Sequence, residues 1–479
     1  MISFFIIISI IITLSLGLTG GYLIKKISDH QAFMSNTGTH GTAEHILNLG
    51  HLISKFSMFA GFLLLLRAVT IILGSGPTIG FWGDWLAYDL IASIYLFLLG
   101  TLTYNVNHES KSLSTLIGKT MPSKILFILK RREVTDPITG VYSHGGLSSG
   151  LLNSARMIKE MLDMFGIGGK TCETKLVQVI DNNDIDREVT LFKPDIVIIE
   201  AIWVVPEKFD VLNKLHPNVK WIIRNHSNIP FLAQEGMALE WLAAYTKMKN
   251  VFIASNTIVS VDDLKDLVVQ SALEDTIKDK VKYFPNFYVP HVDPSWSLIE
   301  KDTIDVGCFG AIRPLKNHLV QAIAAIRFAM KHGKHLNFHI NSSRVEGGGQ
   351  PILKNLRGLF KDSKFATLIE HEWTPHDEFV QVIAKMDIAV QVSFSETFNI
   401  VTADAVTMGV PCVVSPEVFW VSSRYHADPT SADDIVKKME VALKDAVIDG
   451  QVTNKIGLEQ YNNRSHMAIS KTLLSVMSD

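Results

Sequence analysis

The distribution of charged residues divides this chain into two parts and limits what each part can fold into. Residues 1–118 contain five basic and five acidic side chains, whereas the remaining 361 residues contain 40 basic and 43 acidic ones. A segment with so few charges is typical of a membrane-inserted module, and the larger part has the composition of a water-soluble globule. The two parts are therefore interpreted separately.

Three apolar runs in the first part are long enough to cross a bilayer as helices. About 20 apolar residues are needed for one span, and the runs cover residues 2–24, 56–74 and 81–104. A cleaved signal peptide is the alternative for the first run. A signal peptide carries basic residues before its apolar stretch, whereas here Lys25–Lys26 follow it. We therefore predict about three transmembrane helices.

The lysine and arginine residues that flank these runs predict the orientation of the chain. Lys25–Lys26 and Lys55 lie between the first and second runs, and six basic residues follow the third run between Lys111 and Arg132. Loops rich in lysine and arginine remain in the cytoplasm. The sequence thus predicts an integral membrane protein with its N-terminus outside and residues 105–479 in the cytoplasm.

The second part alternates short apolar runs with amphipathic helical stretches. Such a rhythm indicates an α/β protein with parallel sheets. The predicted strands cover residues 124–129, 176–180, 195–200, 221–224, 251–254, 304–309, 336–340, 367–370, 387–392 and 411–415.

The second part is also too long for one typical domain. Residues 285–301 contain three prolines and no helical or strand period, so they predict a linker. We expect two doubly wound, Rossmann-like domains that face a cleft, over residues 121–287 and 302–460, followed by a C-terminal helix at 461–479. In such folds ligands bind at the carboxyl ends of the strands.

Two loops at predicted strand ends have the composition of anion-binding loops. Gly145 and Gly146 precede a predicted helix, where glycine lets the backbone approach a ligand and the helix N-terminus attracts an anion. Gly310 opens the other loop, which contains Arg313 and Lys316. Two cations there suit a diphosphate. A flexible turn and a solvated pair of surface cations are the respective alternatives.

A third loop carries two carboxylates. Glu396 and Asp404 are eight residues apart across a loop and the start of a predicted helix, so both can reach one cleft. Carboxylates accept hydrogen bonds from hydroxyl groups and suit a sugar or a ribose. The backbone amides of Thr397, Phe398 and Asn399 are candidate donors at the helix start.

The stretch from Glu396, ETFNIVTADAVTMGVPCVV, resembles a known signature. It is similar to E-G-F-G-L-x-x-x-E-A-x-A-x-G-x-P-V-V, found in retaining nucleotide-sugar glycosyltransferases of the GT-B fold, family four. The loop from Gly310 to Lys316 resembles the G-R-L-x-x-x-K loop of that family. The chain departs from the pattern where Asp404 replaces the second glutamate and Ala311 replaces the arginine. Thr397 and Asn399 replace the two glycines of E-G-F-G.

The resemblance implies a GT-B fold over about residues 121–479 and roles for the loop residues. Asp404 would hold the ribose, whereas Arg313 and Lys316 would stabilise the leaving diphosphate. Glu396, together with Gly310 and the amides of residues 397–399, would hold the rest of the donor. The family transfers a sugar with retention of configuration and needs no metal and no cofactor.

On the acceptor side, the resemblance implies roles for Gly145, Gly146 and His226. A membrane anchor suggests an acceptor at the membrane surface, either a lipid or a glycan. A satisfied loop histidine is the alternative interpretation of His226.

Other functions stay open at this point. Residues 1–118 also resemble a small pore-forming module of the holin kind, fused to a glycosyltransferase-like domain that is degenerate or acts on another acceptor such as modified DNA. A nucleotide-sugar epimerase on the same fold is a further alternative. The net charge of −3 argues against nucleic acid as a partner. The three cysteines are far apart, without the spacing of a zinc site.

Overall fold

The computed structural model describes the second part of the chain and leaves the predicted membrane spans outside the described residues, together with Gly145 and Gly146. In the part that it describes, no helix is long and apolar enough to cross a membrane. The described residues are 122–131, 134–135, 142–143, 149–272, 275–290, 301–449 and 451–479.

A first sheet contains six parallel strands in the order β4-β1-β5-β6-β7-β8. The residues of β1 and β5 are almost entirely buried, as expected for strands covered on both faces. A short antiparallel pair, β2 and β3, follows β1. The strands are β1 Lys124–Lys130, β2 Val134–Thr135, β3 Tyr142–Ser143, β4 Glu173–Val179, β5 Ile196–Glu200, β6 Lys220–Asn225, β7 Val251–Ser255 and β8 Val281–Tyr283.

A second sheet contains five parallel strands in the order β11-β10-β9-β12-β13. Its central strand β9 pairs with β10 on one side and β12 on the other, so the strand order reverses there. Crevices that bind ligands form at such reversals. The strands are β9 Thr303–Gly307, β10 His335–Asn341, β11 Ala366–His371, β12 Ile388–Gln391 and β13 Cys412–Val414.

Twelve α-helices in the described chain cover the two sheets, and three short 3₁₀ turns accompany them. The turns are Asp275–Lys280, Pro314–Lys316 and Ser423–Tyr425. The helices are α1 Ser149–Phe165, α2 Asp184–Phe192, α3 Lys208–Leu215, α4 Ile229–Leu232, α5 Ala238–Thr246, α6 Ile258–Ala272, α7 His318–Lys331, α8 Gln350–Phe360, α9 His376–Ile383, α10 Ile400–Thr407, α11 Ala432–Asp449 and α12 Val452–Ser478.

The prediction of an α/β protein with parallel sheets is confirmed, because every predicted strand overlaps a strand of the structure. Strand β8 was not predicted, since three residues are too short to show a period. Helix α12 contacts both halves of the fold. Asn454 Oδ1 accepts a hydrogen bond from the Ser422 backbone (3.1 Å), and Thr472 Oγ1 donates to the Tyr283 carbonyl (2.6 Å).

Candidate active site

The loop after β9 is built around a glycine that no other residue would replace without strain. Gly310 has a φ of 113°, in the region that favours glycine. Its backbone N–H donates to Asn341 Oδ1 at 3.0 Å. Among the described residues, the nearest atom to a Cβ added at Gly310 would be Lys316 Cε at 4.0 Å, so the loop borders open space. A ligand can therefore approach the backbone here.

The two predicted cations of this loop lie near one carboxylate. Lys316 Nζ forms an ion pair with Glu396 Oε1, and Ser393 Oγ donates to the same oxygen at 3.0 Å. Burial alone would raise the pKa of Glu396, but Lys316 and Arg313 outweigh it and lower the pKa below its ordinary value. Glu396 is therefore an anion that neutralises the charge of Lys316. Another anion, such as a phosphate group of a ligand, can take its place beside the ammonium group.

Arg313 faces the other half of the fold. Its guanidinium lies 4.4 Å from the centre of the Phe231 ring, and its Nη1 is 3.7 Å from Glu346 Oε2. Phe231 belongs to α4, which follows the first sheet, so this cation–π contact spans the cleft between the halves. The Nε of Arg313 is buried and has no partner in the described chain.

Two side chains that follow Glu396 hold the loop in place through core packing and helix capping. Phe398 is buried and stacks on Tyr461 and Trp420, with ring centres 4.9 and 5.6 Å away. Asn399 adopts a left-handed conformation (φ 59°) and caps α10, because its Oδ1 accepts from the Thr402 backbone at 2.9 Å. The side chains of Phe398 and Asn399 are thus structural.

The backbone of this loop remains a candidate for ligand binding. In the described part of the chain, no hydrogen bond engages the N–H groups of Thr397 and Phe398. These two N–H groups lie next to Glu396, and their role in binding a sugar donor stays a prediction.

Asp404 lies on α10 with one oxygen occupied and the other free. Tyr288 Oη donates to Asp404 Oδ1 at 2.7 Å, and His376 Nε2 contacts the same oxygen at 2.8 Å. Burial and the neighbouring Asp404 raise the pKa of Tyr288 well above its ordinary value, so the phenol remains a donor. Asp404 Oδ2 is buried and has no partner among the described residues. A buried carboxylate oxygen without a partner is costly unless a ligand or water satisfies it.

Asp404 and Gly310 line one cavity of about 90 Å³. The first half contributes Gly150 and Asn153 of α1, so the cavity lies between the two halves. Glu396 is not part of this lining. The predicted site residues therefore form two neighbouring groups. One contains Gly310 and Asp404, and the other contains Arg313, Lys316 and Glu396. The Lys316 side chain, close to Gly310, connects them.

Two asparagines of the first half bond directly to the loop of the second half. Asn228 Nδ2 donates to the Glu396 carbonyl at 2.5 Å, and Asn256 Nδ2 donates to Thr397 Oγ1 at 3.0 Å. Thr397 stands where the family pattern has glycine, and its hydroxyl makes one of these contacts. Sequence reasoning missed both asparagines, because nothing local distinguishes them from ordinary loop residues.

His226 follows β6 and contacts a buried carboxylate. Its Nε2 lies 2.5 Å from Glu200 Oε2, and Glu200 also pairs with Arg224. Glu200 and Arg224 were not predicted as functional. A signal existed, since Glu200 ends the apolar buried strand β5, and Arg224 follows the apolar residues 221–223 near the end of β6. Among the described residues, no group of three or more His, Cys, Asp or Glu side chains could hold a metal ion.

The pairing of His376 with Asp404 leads to a pH-dependent prediction. Burial alone would lower the pKa of His376, but the contact with Asp404 outweighs it and raises the pKa. A raised pKa means that protonated His376 stabilises the fold below about pH 6.5, and this contribution is lost as the pH rises through the folded-state pKa. We therefore expect the difference in melting temperature between the wild type and His376→Gln to shrink from pH 6 to pH 8.5. A difference that is constant with pH would contradict the prediction.

Known proteins share the fold but not a recognisable sequence. No protein-family model matches the chain, and no curated protein matches it. Among solved structures, the trehalose-6-phosphate phosphatase N-terminal domain of Candida albicans matches with a TM-score of 0.53 and 11% identity, covering 75% of this chain and 97% of that one. The trehalose-6-phosphate synthase OtsA matches with a TM-score of 0.50 and 11% identity, covering 74% and 99%.

A third match, S. aureus TarM, has a TM-score of 0.43 and 15% identity, and it covers 58% of this chain. The match spans only 55% of the length of TarM. The first two likenesses, together with the two doubly wound sheets, identify the GT-B fold that the sequence resemblance implied.

Proposed function

We propose that this protein is a retaining, metal-independent glycosyltransferase that uses a nucleotide sugar. The observation that carries the proposal is Asp404, whose buried Oδ2 has no partner among the described residues and which lines one cavity with Gly310. A ribose hydroxyl would satisfy this oxygen. The nearby cations Arg313 and Lys316 would then meet the diphosphate that follows the ribose in a nucleotide sugar.

The geometry suggests how the donor would bind. The diphosphate would replace Glu396 as the partner of Lys316, since both are anions that suit the same ammonium group. The released Glu396 carboxylate would then accept hydrogen bonds from the hydroxyl groups of the sugar. The free backbone amides of Thr397 and Phe398 would donate hydrogen bonds to the sugar. Binding of the donor would thus rearrange one ion pair and leave the supporting core unchanged.

In the transfer step, the bond between the sugar C1 and the phosphate oxygen breaks, and the acceptor oxygen bonds to C1 on the same face. The leaving phosphate oxygen takes the acceptor's proton. Arg313 and Lys316 would stabilise the charge that develops on the diphosphate, which is the largest contribution that such a site can make. One chain that shares the fold is a trehalose-6-phosphate synthase, and this supports sugar transfer as the chemistry.

The acceptor and the membrane attachment rest on the sequence. Three predicted spans within residues 1–118 would anchor the enzyme, and the positions of lysine and arginine favour a cytoplasmic active site. Nucleotide sugars are made in the cytoplasm, which agrees with that orientation. We therefore propose a lipid or a glycan at the membrane surface as the acceptor.

The proposal is tested by nucleotide-sugar binding to the full-length chain. We expect one of a panel of UDP-, GDP- and ADP-sugars to raise the melting temperature of the wild type. Asp404→Asn should weaken the binding by about 10- to 100-fold, because a hydrogen bond to a charged group is lost. Asp433→Asn is the matched control, since Asp433 is exposed and, among the described residues, its one ion pair is with Arg327 on the surface. If the folded wild type bound no member of the panel, the proposal would be wrong.

A further inference from the structure

The first half contains a fully buried ion pair at the carboxyl edge of its sheet. Glu200 at the end of β5 and Arg224 near the end of β6 are register partners, and neither side chain is accessible to solvent. Arg224 Nη1 lies 3.1 Å from Glu200 Oε2. Burying two charges costs more free energy than their attraction returns unless further hydrogen bonds satisfy them. The hydrogen bonds around the pair therefore decide whether the two buried charges are stabilised.

Every N–H of the Arg224 guanidinium has an acceptor. Besides Glu200, the acceptors are Ser154 Oγ at 3.0 Å, the Phe284 and Pro285 carbonyls at 3.3 and 3.2 Å, and Asn286 Oδ1 at 2.5 Å. Three of these belong to the chain that leaves the first sheet. The guanidinium is thus held from several sides and fixes Glu200 in turn.

Glu200 Oε2 is also the contact atom of His226. Burial alone would raise the pKa of Glu200, but Arg224 and His226 outweigh it and lower the pKa, so the carboxylate is charged and can only accept hydrogen bonds. His226 Nε2 must then carry the proton that lies between the two groups. Burial and Arg224 lower the pKa of His226, which leaves the ring neutral.

A neutral imidazole protonated at Nε2 has a lone pair at Nδ1. In the described chain, no hydrogen bond engages His226 Nδ1, and the side chain keeps 13% of its surface accessible. The loop that carries the ring is fixed next to the candidate active site. Asn225 and Ser227 bond to each other around His226, and Asn228 donates to the Glu396 carbonyl. The lone pair is therefore available beside the loop of Glu396.

We propose that Glu200, held by Arg224, is a positioning residue that fixes His226 in the Nε2–H tautomer so that Nδ1 accepts a hydrogen bond from a substrate hydroxyl. The inference rests on the proposed function for the nature of the substrate. What it adds is the residue that selects the tautomer. With the proton at Nδ1 instead, the same ring would donate there, and a hydroxyl that must donate its own hydrogen would lose its acceptor.

The tautomer can be measured directly in the full-length chain. We expect the ¹⁵N spectrum of histidine-labelled wild type to show His226, identified by its absence in His226→Gln, with a proton on Nε2 and none on Nδ1 from pH 6.5 to pH 8. His226 protonated at Nδ1 would overturn the proposal. This readout needs no substrate, so it stands even if no nucleotide sugar is turned over and the proposed function fails.

A double-mutant cycle tests the role in transfer. We expect Glu200→Gln to lower kcat by about 10- to 100-fold, equivalent to one hydrogen bond to a charged group, with little change in nucleotide affinity. If Glu200 acts through His226, then Glu200→Gln combined with His226→Gln should be no slower than His226→Gln alone. Two losses that multiply would indicate a separate role and overturn the proposal.

A matched set of variants keeps the test valid if Glu200→Gln folds poorly. His226→Gln leaves the Glu200–Arg224 pair intact, and Glu200→Asp keeps the negative charge. We expect Glu200→Asp to recover part of the rate and to keep the proton on His226 Nε2. A Glu200→Asp variant that folds but carries the proton on Nδ1 would contradict the proposal.

Discussion

Replacing Lys316 by methionine is expected to lower the rate of sugar transfer by about 100- to 1000-fold, the usual cost of removing one group that stabilises developing charge. Lys316 is mostly buried and lies beside the carboxylate that a diphosphate would displace. Methionine keeps the apolar stem and removes only the ammonium group. The measurement is kcat for transfer from the donor found in the binding panel.

The controls separate catalysis from folding. Lys331→Met removes an exposed ammonium group that pairs with Glu440 on the surface, and it should leave the rate unchanged. Lys316→Met leaves Glu396 buried without its ion-pair partner, so Lys316→Met combined with Glu396→Gln removes that penalty. If this pair of changes restored both stability and rate, Lys316 would have a structural role only.

Replacing Arg224 by leucine is expected to destabilise the protein by about 3–5 kcal/mol, because it leaves the Glu200 carboxylate buried without its cation. The Phe284 and Pro285 carbonyls, which accept from the guanidinium, would lose this donor as well. The free energy of unfolding is measured in urea by tryptophan fluorescence. The loss should be largest at neutral pH, where the carboxylate is charged.

The comparison variant is Arg187→Leu. Arg187 is exposed and pairs with Asp184 and Glu188 on the surface. Surface ion pairs contribute about 0–1 kcal/mol, so this change should have little effect. A loss at Arg224 as small as the loss at Arg187 would mean that the buried network does not stabilise the first half.

The sequence was sufficient for ten of the strands, because these strands are apolar and the pattern that marks them is local. It also predicted the loop that holds Gly310 and Lys316, and the loop and helix start that hold Glu396 and Asp404, since both segments follow strand ends. The sequence did not predict which residues contact these side chains. Tyr288 contacts Asp404 from 116 residues away along the chain, and Lys316 contacts Glu396 across 80 residues. Such contacts depend on how the halves pack, which no local pattern encodes.

The roles of the predicted site residues remain predictions. The structure brings Arg313, Lys316 and Glu396 together and gives Asp404 a free oxygen. It also shows Phe398 as a core residue whose backbone alone can face a ligand. Sequence patterns report the type of a residue, whereas burial decides which of its atoms a ligand can reach.

The position of helix α12 affects how this chain can fold while it is being synthesised. The edge strand of the first sheet ends at Tyr283, but the hydroxyl that bonds its carbonyl belongs to Thr472, which is made 189 residues later. At about 5–20 residues per second, that interval is roughly 10–40 s. The nascent first half therefore lacks this contact at its sheet edge until Thr472 is synthesised, and a truncation before Thr472 would damage the half that was synthesised first.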